Sequence, residues 1–253
     1  MLDISVIMPY FHRPEQLKNT LDSYWHFYHK EAEDIEIILI DDGSPTEEAR
    51  KILLRSGFPH ASYVRLDREK RGNPTVPFNM GVEMAKSPLL LLTNPENMHL
   101  GNVIDDAVEN AKPNTYRCYA CRTVRQAKFS DVMRDPMTFT LFAETPRGFY
   151  QHSRHSNRMI YFCALLTKET FLKVGGIDEQ YSDGYAWEDS DFVLRMREAN
   201  INFEAVDSPE VAHQEHARFP DSDGWARNHK IFKERWGRES GLVFAPDSKE
   251  VLR

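Results

Sequence analysis

Ile35-Glu36-Ile37-Ile38-Leu39-Ile40-Asp41-Asp42-Gly43-Ser44-Pro45 is the stretch that decides the fold. Six residues rich in Ile and Leu stop on a turn-forming sequence, the signature of a central strand covered on both faces in a parallel sheet. Upstream, Ile4 to Met8 is a similar run closed by Pro9, and Arg13 to His29 carries Leu17, Leu21, Tyr24, Trp25 and Tyr28 at helical spacing behind Pro14. Downstream, Thr46 to Ser56 returns to a helical pattern, Ala61 to Leu66 reads as a strand, Val76 to Lys86 as a helix and Pro88 to Thr93 as a strand. Strand and helix therefore alternate through the first part of the chain. This predicts an α/β fold with a mainly parallel central sheet and helices on both faces.

The second half is less regular. Tyr116 to Val124, Met159 to Leu166 and Asn202 to Val206 read as strands, and Lys168 to Val174, Ser190 to Ala199 and Trp225 to Trp236 as helices, the last ending at Gly237. Arg125 to Arg158 shows little periodicity and is long for a structureless connection, a property of functional loops.

Composition narrows the function. The 253 residues are 41% hydrophobic, enough for one sizeable core, and 39 acidic against 32 basic side chains leave a net charge of −7, which argues against nucleic acid as a partner. No apolar run approaches the ~20 residues of a membrane span, and the first ten residues lack a basic stretch, so a signal peptide is not expected. Three cysteines cannot build a disulfide framework, which fits a reducing compartment. Cys118 and Cys121 form a C-x-x-C pair, but residues three apart on a strand point to opposite faces and a second pair is missing. Of three H-x-x-H pairs, His26/His29 lies on a predicted helix, where packing or surface is the simpler reading, while His152/His155 and His213/His216 fall in loop-like sequence.

In an open parallel sheet, ligands bind beyond the carboxyl ends of the strands. Four polar segments stand there: Pro9-Tyr10-Phe11-His12-Arg13, Asp41-Asp42-Gly43-Ser44, Arg71-Gly72-Asn73 and Asn94-Pro95-Glu96-Asn97. Together they offer aromatic stacking, carboxylates and cations, a set suited to a nucleoside diphosphate. Asp-Asp-Gly-Ser alone is an ordinary turn; behind an Ile-rich strand and beside the first segment it gains weight.

Val6-Ile7-Met8-Pro9-Tyr10-Phe11-His12-Arg13, Ile40-Asp41-Asp42-Gly43-Ser44, Asn79-Met80-Gly81, Val174-Gly175-Gly176-Ile177-Asp178-Glu179 and Trp187-Glu188-Asp189-Ser190-Asp191 occur in that order. The ordered set resembles family 2 glycosyltransferases of the GT-A fold over about residues 3 to 237. The resemblance implies a nucleotide-sugar donor, most often UDP-linked, a glycan, glycolipid or glycoconjugate acceptor, a divalent cation (Mn2+ or Mg2+) and inversion at the anomeric carbon. It implies one GT-A domain over residues 1–240, with a nucleotide-binding half to about 100, an acceptor and catalytic half beyond it and a tail at 241–253. A cytoplasmic location is expected, with peripheral attachment to a membrane left open by a lipid-linked acceptor.

Carried over by motif, Pro9, Tyr10, Arg13, Asp41, Asp42, Arg71, Asn79 and Asn94 fall to the nucleotide and donor. The family's D-x-D metal motif is replaced by Asn94-Pro95-Glu96, so the resemblance implies Glu96 as the metal carboxylate, with His213 as the late histidine that completes the shell. Asp189 matches the general base, and a carboxylate at the start of a helix suits that role because the helix dipole favours its charge. Glu188 is expected to orient the acceptor and Trp187 to stack on a sugar face. His216 is assigned to the acceptor side, with contact to the diphosphate or support of the metal shell as alternatives. Asp191 reads as a helix-capping acid paired with Arg195. Arg147, His152, Arg154, His155 and Arg158 are candidate contacts to an anionic acceptor, or simply a solvated basic loop.

Two other functions compete. A non-catalytic nucleotide-sugar or carbohydrate-binding module on this scaffold predicts UDP binding indifferent to Mn2+. A sugar-phosphate nucleotidyltransferase would carry a Gly-rich phosphate loop after the first strand, where Pro9 to Arg13 has no glycine.

Overall fold

The computed structural model describes residues 2–68, 73–141, 148–217 and 221–244. In chain order the first half comprises β1 (Ile4–Tyr10), α1 (Pro14–Tyr28), β2 (Ile35–Asp41), α2 (Glu48–Leu54), β3 (His60–Arg65), α3 (Thr75–Met84), β4 (Leu89–Thr93), β5 (Asn97–His99) and α4 (Val103–Glu109). The second comprises β6 (Thr115–Val124), α5 (Phe129–Arg134), α6 (Pro136–Phe139), β7 (Phe149–Gln151), β8 (Cys163–Thr167), α7 (Lys168–Lys173), α8 (Glu188–Glu198), β9 (Asn202–Gln214) and α9 (Ser222–Trp236).

One nine-stranded sheet in the order β3-β2-β1-β4-β8-β6-β9-β5, with β7 on β6, joins both halves. β3, β2, β1 and β4 pair in parallel, as do β6 and β9, while β8, β7 and β5 run antiparallel to their neighbours. The Ile-rich strands are buried on both faces because helices cover both. Ile37 and Leu39 meet Leu17, Leu21 and Tyr24 of α1, whereas Ile38 and Ile40 meet Phe78 and Val82 of α3. Glu36 interrupts β2 without cost to its burial: the Ser5 hydroxyl donates to it at 2.6 Å, the Lys86 amide at 2.9 Å, and the Lys86 ammonium stands 3.3 Å away. Cys118 and Cys121 fall into the two opposite cores, and all three cysteines are buried free thiols. No helix among the described residues is long and apolar enough to cross a membrane.

Three expectations change. The strand expected over Met159 to Leu166 is Cys163–Thr167. Met159 has φ 56°, a left-handed backbone that ends any extended run. The loop expected around His213 is strand, because β9 continues past Val206 to Gln214. Its register against β6 slips after Val206–Tyr119 and resumes at Val211–Cys121, so Asp207, Ser208, Pro209 and Glu210 bulge out of a strand they would otherwise end. The described part of the irregular segment holds α5, α6 and β7, whose elements are too short to leave a period in sequence. Arg147 lies outside the described residues.

Candidate active site

A cleft of about 300 Å3 opens at the carboxyl ends of β1, β2 and β4. Pro9, Tyr10, Phe11 and Arg13 line it with Asp42, Asn94 and Glu96, as do Glu188, Asp189, His213 and His216.

The two acids open α8 on an unusual backbone. Ala186 and Trp187 are consecutive non-glycine residues at positive φ, 60° and 77°. Such conformations cost ~1–3 kcal/mol each and persist only where packing enforces them. Here α9 supplies the packing: the buried Asn228 amide donates to the carbonyls of Tyr181 and Ala186 at 3.0 and 2.9 Å, and a Cβ on Gly184 would collide with it. Trp187 is wedged against the His229, Trp225 and Phe232 rings, at centroid distances of 4.4, 5.5 and 4.7 Å.

Glu188 is buried and accepts from the Asn73 amide and from the Tyr161 hydroxyl, the latter at 3.1 Å. Burial, then the adjacent negative charge of Asp189, pushes its carboxyl up to about 7. Burial also raises Asp189, opposed by the positive charge of Arg158 and by the Ser190 amide, which donates to Oδ1 at 2.5 Å. Asp191 points the other way. Fully buried, it accepts from Arg195 at 2.7 Å, Arg235 at 2.8 Å and the Trp236 indole at 2.9 Å, the structural acid its spacing to Arg195 suggested.

β5 pairs Asn97 with His213 of β9, which brings Glu96 beside the late histidines. Gln214 fixes that placement: its backbone and side-chain amides donate to the Glu96 carbonyl at 2.9 and 3.2 Å, and its side chain also donates to the Gln16 carbonyl of α1 at 3.0 Å. The Nε2 atoms of His213 and His216 stand 3.5 and 3.4 Å from Glu96 Oε1, on which Arg13 also pairs. Burial would raise the Glu96 carboxyl, but the Arg13 charge and the two imidazoles hold it well below the usual carboxylate range. Burial lowers His213 and so favours the neutral, metal-binding imidazole.

One ligand atom from each of Glu96, His213 and His216 lies within 4.8 Å of the others. Glu96 Oε2 is buried without a hydrogen-bond partner among the described residues. One carboxylate oxygen and two imidazoles are a donor set that suits a divalent transition metal, and the unpartnered Oε2 is a further oxygen such an ion could take. The residues fit a cation.

Other positions differ from expectation. Trp187 is not among the residues lining the cleft; its ring is spent on α9, and the half-exposed Tyr185 lines the cleft instead. Asn79 braces a turn: its side chain donates to the Ile177 carbonyl at 2.8 Å and accepts from the Ile177 amide at 2.9 Å. Asp41 is fully buried and accepts from the Ser44 amide and Tyr63 hydroxyl at 2.8 and 2.7 Å, which leaves Asp42, paired with Arg68 at 3.2 Å, to line the cleft. His216 joins the Glu96 group rather than a separate acceptor wall. Arg71 lies outside the described residues. Asn73 and Tyr161, which grip Glu188, carried no signal in sequence beyond a loop asparagine and an apolar-run tyrosine. His152, His155 and Phe149 form their own ring cluster away from the lining.

Fold and site together define a nucleotide-diphospho-sugar type of scaffold, and comparison supplies the family. The profile described as glycosyl transferase family 2 matches residues 5–174. The chain belongs to that family. A second profile, described as the N-terminal domain of galactosyltransferase, matches residues 152–218. Among solved structures, GalNAc-T7 with UDP, GalNAc and Mn2+ aligns with a TM-score of 0.68 at 15% identity, over 92% of this chain and 48% of its own. S. aureus TarS gives 0.63 at 12%, over 93% and 39%. The mannosyltransferase PcManGT from Pyrobaculum calidifontis, in complex with GDP-Man and Mn2+, gives 0.55 at 18%, over 96% and 66%. At these identities the likeness shows the GT-A fold alone. The chain spans less than two thirds of each of these three proteins. No curated protein matches it by sequence.

Proposed function

We propose that this domain is an inverting glycosyltransferase that moves a sugar from a nucleoside-diphosphate donor, UDP being the first candidate, to a hydroxyl of a glycan, glycolipid or glycoconjugate. The observation that carries the reading is that Asp189 and the Glu96–His213–His216 group line one cleft together with Tyr10 and Asp42. Tyr10 and Asp42 take the nucleoside, in line with the motif resemblance. Asp189 removes the acceptor hydroxyl proton; that oxygen then attacks the anomeric carbon as the bond to the β-phosphate breaks, and the electron pair leaves with the nucleoside diphosphate. The positive charge of Arg158 favours the ionised base despite its burial. Glu188, gripped by Tyr161 and Asn73, orients the acceptor, and Tyr185 offers a sugar-stacking face in place of Trp187. Glu96, His213 and His216 would hold a divalent cation, Mn2+ fitting two imidazoles better than Mg2+, and when bound it would supply Lewis-acid stabilisation of the leaving diphosphate worth several kcal/mol.

The test is a panel of nucleotide sugars assayed for Mn2+-dependent hydrolysis and for thermal stabilisation. Release of nucleoside diphosphate from one member, lost in Asp189→Asn, supports the reading. UDP binding that ignores Mn2+ and no release from any donor would instead favour the non-catalytic module.

A further inference from the structure

We propose that Arg13 is an internal counter-ion that keeps Glu96 closed to a free cation and releases it only to a diphosphate, so that cation and donor load as a unit. The inference rests on the reading of Glu96, His213 and His216 as a cation site, and it concerns how that site is gated. The Arg13 guanidinium pairs with Glu96 Oε1, the same oxygen that both imidazoles face. The two side chains are only 12% and 5% exposed, so water screens the pair poorly. Glu96 is the one carboxylate of the group, and Arg13 already offsets its charge. A lone dication therefore gains little from Glu96, because the guanidinium on the same oxygen repels it about as strongly as the carboxylate attracts it.

The pair is also incomplete in a complementary way. Arg13 Nε, a donor, and Glu96 Oε2, an acceptor, are both buried without hydrogen-bond partners among the described residues. Buried groups left in that state cost free energy unless a ligand meets them. A diphosphate brings what both lack: anionic oxygens for the guanidinium, and negative charge to accompany the dication. Arg13 lines the cleft with Tyr10 and Glu96, and its backbone amide is held by the Tyr10 hydroxyl at 2.9 Å, so the switch asks for a side-chain rotation about an anchored backbone. Arg13 thus acts as a binding-order residue, and the linkage is reciprocal: diphosphate tightens cation binding by the factor by which cation tightens diphosphate binding.

The experiment is equilibrium Mn2+ binding, read by the loss of the free-ion electron paramagnetic resonance signal, alone and with UDP, GDP, CDP or dTDP. For the wild-type chain, at least one nucleotide tightens Mn2+ binding by about tenfold or more, the scale of removing one charge repulsion at a poorly screened site. Arg13→Ala tightens nucleotide-free Mn2+ binding by a similar factor and shrinks the nucleotide effect toward onefold, whereas Arg13→Lys, which keeps the charge, stays near wild type. Should the Ala variant fail to fold, Arg13→Gln and the wild-type coupling factor carry the test. Unchanged nucleotide-free affinity in Arg13→Ala or Arg13→Gln, with Mn2+ binding still abolished by Glu96→Gln, overturns the counter-ion role and leaves the cation site standing. Mn2+ binding that is absent with every nucleotide, or indifferent to Glu96→Gln, overturns both.

Discussion

Replacing Glu188 with glutamine tests whether the cleft holds a carboxyl that is reluctant to ionise. Glu188 is 6% exposed, accepts from Tyr161 and Asn73, and adjoins Asp189. Burial and the Asp189 charge move it from 4.5 to about 7. That difference corresponds to about 3 kcal/mol. The sign follows from which state holds the proton. Below about pH 4.5 folded and unfolded chains are protonated alike, and the group has no net effect. Between about 4.5 and 7 the unfolded chain sheds its proton first, so stability falls as pH rises, and above about 7 the loss is complete. Glutamine keeps the shape and an acceptor oxygen but does not titrate. Urea unfolding followed by tryptophan fluorescence at pH 5.0 and 8.5 should therefore show the variant gaining ~2–3 kcal/mol on the wild type between the two pH values. A difference that stays constant, or one that favours the wild type at high pH, would refute the protonated-carboxyl argument.

Three further outcomes follow from the same geometry. Asp189→Asn lowers transfer by ~10²–10⁴-fold with no loss of stability; wild-type turnover in this variant would reject it as the base. Asp191→Asn does the reverse in stability, costing ~3–5 kcal/mol in urea unfolding because Arg195 and Arg235 lose a buried counter-charge. A drop under ~1 kcal/mol would show that those ion pairs are not what fixes α8. Gly81→Ala drives a Cβ into Ile7 Cγ2 where α3 crosses β1, and overpacking of that kind costs ~1–3 kcal/mol; an unchanged urea midpoint would mean that the helix–sheet spacing is looser than described.

Much of the site was legible because strand ends in a parallel sheet are local features. Pro9, Tyr10, Arg13, Asp42, Asn94 and Glu96 all line the cleft, as do Glu188, Asp189, His213 and His216. Where a side chain's placement departs from the motif reading, the cause is non-local. Trp187 and Tyr185 are two residues apart and both aromatic; only the rings of α9 decide which one lines the cleft. Asn79 and Asp41 sit in family motifs, yet their hydrogen bonds close turns. The extension of β9 through Pro209 depends on β6 resuming its ladder beyond a bulge, an event that leaves no period in the sequence.

The sequence alone determined the alternation of strands and helices, the loops that line the cleft and the family, since apolar periodicity and short motifs are properties of neighbouring residues. The tertiary structure decided which acid faces the cleft, that His216 stands with Glu96 and His213, and that Arg13 already occupies the carboxylate a cation would need. Those facts depend on residues 83 to 120 positions apart being brought within a few ångströms. No local pattern encodes that approach; the packing of α1, β5 and β9 on one sheet does.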